Sequence, residues 1–227
     1  MISSLKIKLM LKAVLFDMDG VIVDTEPLHH KAYLQMFEKM GIEVSEAMYN
    51  GFTGQSTRSI CMQLCRFFNL KNNPEELVQI KRNNFTKLFF EDDDLQLISG
   101  VEKLIKEYHK NGLTLVLASS ASMFTINNVT KRFKLDPYFT DKLSGADLKI
   151  SKPHPEIFIN ATNAANVNPN ECMVIEDSTN GIKAAKSAGI FCTAYKGENS
   201  KNQDYTLADK LITNYEEISF DEIKGLI

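Results

Sequence analysis

At 227 residues the chain is long enough for one sizeable α/β domain with a smaller insert. Its 44% hydrophobic and 24% charged content is that of an ordinary globular protein, which excludes a fibrous or disordered chain. The net charge of −3, with Lys and Arg scattered, leaves no basic face for nucleic acid, and no stretch approaches the roughly 20 apolar residues that span a bilayer. Lys6, Lys8 and Lys12 interrupt the apolar opening, so it has no continuous signal-peptide core. Residues 1–9 read as an extension ahead of the stretch MLKAVLFD. The cysteines Cys61, Cys65, Cys172 and Cys192 form no CxxC pair and read as small apolar packing residues of a cytoplasmic protein.

The first buried strand is predicted over Ala13–Phe16 and ends at Asp17. About seventy residues follow without a convincing strand, in a helical pattern over Pro27–Met40, Ser56–Phe68 and Pro74–Phe90. So long an excursion between two strands is not a loop. It reads as an inserted α-helical cap over residues 26–95, with residues 1–25 and 96–227 forming the core. The acidic run Glu91–Asp94 that closes it reads as a solvated linker.

Beyond the cap, Ser99–Lys110 places Val101, Leu104, Ile105 and Tyr108 on one helical face and stops at Asn111-Gly112. A second strand over Leu113–Ala118 ends at Ser119, and a third over Cys172–Ile175 ends at Glu176-Asp177. Helices are predicted over Thr125–Lys134, Glu156–Asn166 and Ser178–Ala188, with further strands over Ile190–Ala194 and Lys210–Ile212. The alternation argues for a doubly wound parallel sheet with right-handed crossovers. In such a sheet the carboxyl ends of the strands line one edge, and ligands bind in the crevice there.

Three strands of unrelated sequence thus deliver polar groups to their tips. Asp17-Met18-Asp19-Gly20 offers two carboxylates two residues apart. A carboxylate nucleophile with a nearby proton donor and acceptor suits phosphoryl transfer, and Mg²⁺ would relieve the repulsion between an anionic nucleophile and an anionic phosphate. Taken singly, each feature has an ordinary explanation. DMDG is also a good turn, Ser119 a good cap, Lys152 an ordinary surface lysine, and Glu176-Asp177 suitable charges for a helix N-terminus.

Together, FDMDGVIVDTE, LASS, SKPHPEIF and VIEDSTNGIKAAKSAG resemble the four ordered motifs of the haloacid-dehalogenase superfamily, over about Lys12 to Ala194. They resemble more narrowly its β-phosphoglucomutase-like branch of sugar-phosphate mutases and phosphatases. The resemblance implies a Rossmann-like core with a helical cap, Asp17 as nucleophile and Asp19 as general acid/base. It also implies Ser119 and Lys152 as holders of the transferring phosphoryl group. Mg²⁺ would sit on Asp17, Asp177, Glu176 and the backbone carbonyl of Asp19. Neighbouring negative charge is expected to keep Asp19 partly protonated near neutral pH.

The same resemblance bears on the reaction. The dehalogenases of the superfamily lack the second Asp, so Asp19 points away from dehalogenation. His29 and Lys81 match cap positions of the mutases, whereas Arg58 stands one position late after Gly54-Gln55-Ser56, and Ala121-Ser122 replaces the Ser-Lys pair that grips a distal phosphate. A mutase must hold two phosphates, a task for bidentate Arg. A monomeric phosphatase acting on a small phosphorylated metabolite is therefore favoured over a mutase, and both over a non-catalytic binding protein. His29, Gly54, Gln55, Arg58 and Lys81 are the candidate specificity residues of the cap.

Overall fold

The computed structural model describes residues 11–146, 148–198, 200 and 202–224. The expected extension over residues 1–9 lies outside them. Six strands form one parallel sheet: β1 (Ala13–Phe16), β2 (Thr114–Ser119), β3 (Asp141–Ser144), β4 (Cys172–Glu176), β5 (Phe191–Tyr195) and β6 (Lys210–Ile212). Their spatial order is β3-β2-β1-β4-β5-β6, so the chain works outward from β1 in one direction and then in the other. The two halves meet at β1. That reversal opens a crevice at the strand tips.

Alternation along the strands sends successive side chains to opposite faces. Val14 and Phe16 join Leu115, Leu117, Met173 and Ile175 on one face, covered by α5 (Val101–Lys110) and α6 (Met123–Arg132). Ala13 and Leu15 join Val116, Ala118 and Val174 on the other, covered by α7 (Glu156–Ala165) and α8 (Thr179–Ser187). Strands buried on both faces read as continuous apolar runs, which is why β1, β2 and β4 were visible in the sequence.

Helices α1 (Glu26–Met40), α2 (Glu46–Asn50), α3 (Thr57–Phe67) and α4 (Pro74–Glu91) enclose a third cluster built on Tyr33, Met36, Phe37, Leu64 and Leu77. α1 and α4 also reach the core, because Leu28, Ala32, Phe85 and Phe89 join the first cluster on the sheet. No helix among the described residues is long and apolar enough to cross a membrane.

Several short elements escaped sequence reading, β3 and α2 among them. β3 is a half-exposed edge strand of sequence Asp-Lys-Leu-Ser, which pairs only with β2 and needs no apolar run. α2 is a five-residue helix whose signal is the Ser45 side chain accepting from the Met48 amide. Helix α6 starts two residues earlier than the periodicity suggests, because Ser122 caps it by accepting from the Thr125 amide. A final helix, α9 (Phe220–Ile223), follows β6.

Candidate active site

Strand register brings the tips into line. Phe16 is level with Leu117 of β2 and Ile175 of β4, so the next residues share one edge. The Asp17 amide still donates to the Ile175 carbonyl (3.0 Å), which holds its carboxylate beside β4. The chain then turns sharply, with the amides of Val21, Ile22 and Val23 all donating to the Met18 carbonyl. Gly20 permits the turn at φ +78°, where a Cβ would lie 2.1 Å from Oδ2 of Asp177. Only glycine fits there.

Asp17, Glu176 and Asp177 converge, with one carboxylate oxygen from each within 4.8 Å of the others. Lys152 reaches them from the loop before α7, only 2% exposed. Its Nζ donates to Asp17 Oδ1 (2.6 Å) and Glu176 Oε1 (2.7 Å) and lies over the Phe158 ring. Lys152 is therefore not the ordinary surface lysine that it would be taken for singly.

Three buried carboxylates against one ammonium leave excess negative charge. Burial, together with Glu176 and Asp19, raises the Asp17 pKa to about 7 despite the opposing pull of Lys152. Burial and the charges of Glu176 and Asp17 push Asp177 well above its ordinary range, although the Ser200 hydroxyl (2.7 Å) works against this. Burial would lower the pKa of Lys152, but Asp17 and Glu176 reverse that and hold it raised, so it stays an ammonium. An all-oxygen, anionic, buried donor set of this kind suits a hard divalent cation.

The donors are not equivalent. Glu176 is already committed: Oε2 accepts from the amides of Asp177 and Ser178 and from the Ser178 hydroxyl, while Oε1 takes Lys152. It organises the site more than it offers a vacant ligand. Gly181 makes room for it, since a Cβ there would fall 1.7 Å from Glu176 Oε1. The Asp19 carboxylate does not join the cluster. Its Oδ1 accepts from Thr25 Oγ1 and lies 3.3 Å from His29 Nε2.

The expectation for Asp19 protonation also changes. Burial raises its pKa, but His29, Thr25 and Lys81 outweigh burial, and the net shift is downward. The neighbouring negative charges considered from sequence are a smaller influence than the cap groups that the fold brings beside it.

Above the strand tips opens a cavity of about 540 Å³, lined by Asp17, Asp19, Ser119 and Asp177 at the sheet and by cap residues opposite. Of the cap candidates, His29, Gly54 and Lys81 line it. Lys81 is 3% exposed, so it is no solvated residue; its Nζ is 2.6 Å from His29 Nδ1 and sits over the rings of Tyr33 and Phe85. Burial lowers its pKa to about 8, though Asp19 and Glu26 pull the other way.

Gln55 and Arg58 are not brought to the cavity. Gln55 bonds to Gly51 and Gln63 on the cap. Arg58 pairs with Glu75 (2.8 Å) on the outside of α3, about half exposed. A one-residue shift along a helix turns a side chain by about 100°, which is enough to carry Arg58 off the cavity face.

Several contributors went unnoticed as site residues. Thr25 and Glu26 sit beside Asp19, Tyr49 donates to Glu26 Oε1 (3.0 Å), and Ser200 contacts Asp177. Ser120 donates to the Gly54 carbonyl (2.8 Å), and Asn180 to the Thr53 carbonyl (2.7 Å), seating the 51–54 loop on the core. Tyr49 and Ser200 carry no local sequence signal. Gly181 was legible only as part of the last motif.

This architecture, with acidic strand tips under a helical cover, places the chain in a known group of enzymes. It belongs to the haloacid dehalogenase-like hydrolase family, whose model matches residues 14–195. Among its relatives is a phosphorylated carbohydrates phosphatase of Thermotoga maritima, 33% identical over 79% of this chain and 82% of that one. Hexitol phosphatase B of Escherichia coli is 26% identical over 94% of this chain and 96% of the other. The crystal structure of a β-phosphoglucomutase from Clostridium difficile superposes with a TM-score of 0.82 at 27% identity, covering 94% of this chain and 96% of that one.

Proposed function

We propose that the protein is a Mg²⁺-dependent phosphatase of small sugar-type phosphate monoesters, working through an aspartyl-phosphate on Asp17. The observation that carries this reading is the Asp17 carboxylate at the tip of β1, held 2.6 Å from a buried Lys152 and grouped with Asp177 at the floor of the cavity. The two phosphatase relatives support the same class of reaction. Residues 26–95 are taken as the cap that covers the reacting groups, with residues 1–25 and 96–227 as the core.

Asp17 and Asp177 would hold Mg²⁺, with the backbone carbonyl of Asp19 and with Glu176 steadying the arrangement from behind. When bound, the ion supplies charge neutralisation on the phosphoryl oxygens. The Asp17 carboxylate attacks phosphorus in line, and the bond from phosphorus to the sugar oxygen breaks as Asp19 delivers a proton to that oxygen. Ser119 and Lys152 stabilise the equatorial oxygens. Asp19, now ionised, takes a proton from water. The resulting hydroxide attacks phosphorus, releasing inorganic phosphate and the free Asp17 carboxylate. In the free enzyme Asp19 is held as a carboxylate by Thr25 and His29, so it gains its proton as the anionic substrate arrives.

A mutase is the second reading, favoured by the burial of Lys81 against His29 near Asp19 and by likeness to the Clostridium difficile enzyme. Phosphatase is preferred because Arg58 points away from the cavity. The test is incubation with Mg²⁺ and a panel of phosphorylated sugars, following free phosphate and positional isomers together. Net phosphate release is expected. Isomerisation of a hexose 1-phosphate without release would replace phosphatase by mutase.

A further inference from the structure

The reacting end of the cavity accounts for Asp17, Asp19 and Asp177, but among the described residues its lining holds eight carboxylates, one ammonium and no guanidinium. Glu26, Asp92, Asp94 and Glu198 add negative charge away from the strand tips. The one ammonium, on Lys81, is engaged by His29 and two aromatic rings. Arg132 lies nearby, yet its guanidinium is spent on the backbone carbonyls of Phe89 and Asp92. A phosphorylated substrate whose other end is also anionic would meet like charge there and nothing to neutralise it.

Hydroxyl groups meet the opposite circumstance. Carboxylates are pure acceptors, and a hydroxyl donated to one makes a charge-assisted bond. Glu26 is placed for this: Oε1 takes the Tyr49 hydroxyl (3.0 Å), while Oε2 has no donor among the described residues. Tyr49 also lines the cavity, and its oxygen has lone pairs to spare for a second hydroxyl. Phe52, Leu28 and Ile60 beside them present apolar surface to the C–H faces of a carbon chain.

We propose that the cavity selects monoesters whose leaving group is an uncharged polyol, bound through Glu26 and Tyr49, and rejects bisphosphates and phosphorylated acids. The proposal rests on the phosphatase reading and narrows it. Glu26 and Tyr49 are its specificity-determining residues.

The experiment compares kcat/KM, with Mg²⁺, for a hexitol 6-phosphate, the matching 6-phosphoaldonate, which differs by one carboxylate, and a hexose 1,6-bisphosphate. At least a 100-fold preference for the hexitol phosphate is expected over each. In Glu26→Gln that preference over the aldonate should fall below 10-fold, chiefly through KM. Comparable turnover of the three esters, or an unchanged ratio in Glu26→Gln, would overturn the proposal. Calorimetric binding of the same three compounds to Asp17→Asn separates it from the reaction assignment. Failure of all turnover by the wild type, with Asp17→Asn still binding the hexitol phosphate selectively, would strike the phosphatase reading and leave the selectivity standing. Equal binding of all three would strike the selectivity whatever the turnover.

Discussion

Lys152 joins Asp17 to Glu176 at 2.6 and 2.7 Å in a nearly water-free setting. Removing one partner of such a group leaves unpaired buried charge, at a cost of roughly 3–5 kcal/mol. Lys152→Met should therefore lower stability by about that amount in urea unfolding, in addition to losing activity. Asp17→Asn keeps the shape and deletes the proposed nucleophile. It should reduce kcat by at least about three orders of magnitude while the circular dichroism and unfolding midpoint stay near wild type. The two variants separate a structural charge from a reacting one.

The same carboxylates set a pH dependence. Asp17 has a folded-state pKa of about 7 against an ordinary 3.8, and Asp177 is raised in the same sense. Between those limits the folded state binds more protons than the unfolded chain, so stability falls as pH rises through that window. Asp19 is shifted the other way, so its contribution is present above the ordinary 3.8 and is lost only as the pH falls below it. In chelator, the melting temperature should thus decline from about pH 4 to about pH 7 on account of this site. Mg²⁺ should restore it, with a larger increment at pH 8 than at pH 5; equal increments at both would argue that the cation binds elsewhere.

At the scale of elements, α4 ends on a side chain drawn from a distant part of the chain. α4 has no basic residue in its last turn. Its terminal carbonyls are met by Arg132 of α6, which bonds to Phe89 O (2.8 Å) and Asp92 O and lies over the Phe89 ring. Arg132→Met should destabilise the protein by about 1–3 kcal/mol, because two carbonyls at a helix end lose a charged donor. The measurement is chemical unfolding of the two proteins side by side. Strand β3 makes the complementary point: its register with β2 aligns Ser144 with Ser119, although nothing in Asp-Lys-Leu-Ser advertises a strand. An edge strand pairs through backbone groups on one side and leaves its side chains free to be polar.

For the molecule as a whole, one wall of the cavity is the 51–54 loop, which rests on the start of α8. Gly54 adopts φ +80°, and a Cβ there would lie 2.4 Å from Ser178 Oγ. Gly54→Ala should raise KM and lower kcat together by about tenfold or more, since it strains the backbone and holds the loop off the strand tips. Asn180→Ala, which removes the bond to Thr53 O and a longer one to Gly51 O, should raise KM by about fivefold, equivalent to about 1 kcal/mol. Steady-state kinetics on one sugar phosphate checks both.

From the chain alone came the alternation of strands and helices, the long helical excursion after the first strand, and the polar residues at three strand ends. These features are local, written in periods of two and 3.6 residues and in the residues that interrupt them. The partners of those residues are not local. Lys152 lies 135 positions from Asp17, and Lys81 lies 52 from His29. Whether a lysine is solvated or buried between carboxylates depends on which segments pack against it, and short-range pattern carries no such information. The fold alone turned Asp19 toward Thr25 and His29, committed Glu176 to its own loop, and carried Arg58 outward to Glu75. Charge and hydrogen-bond balance in a low-dielectric interior is settled by three-dimensional neighbours.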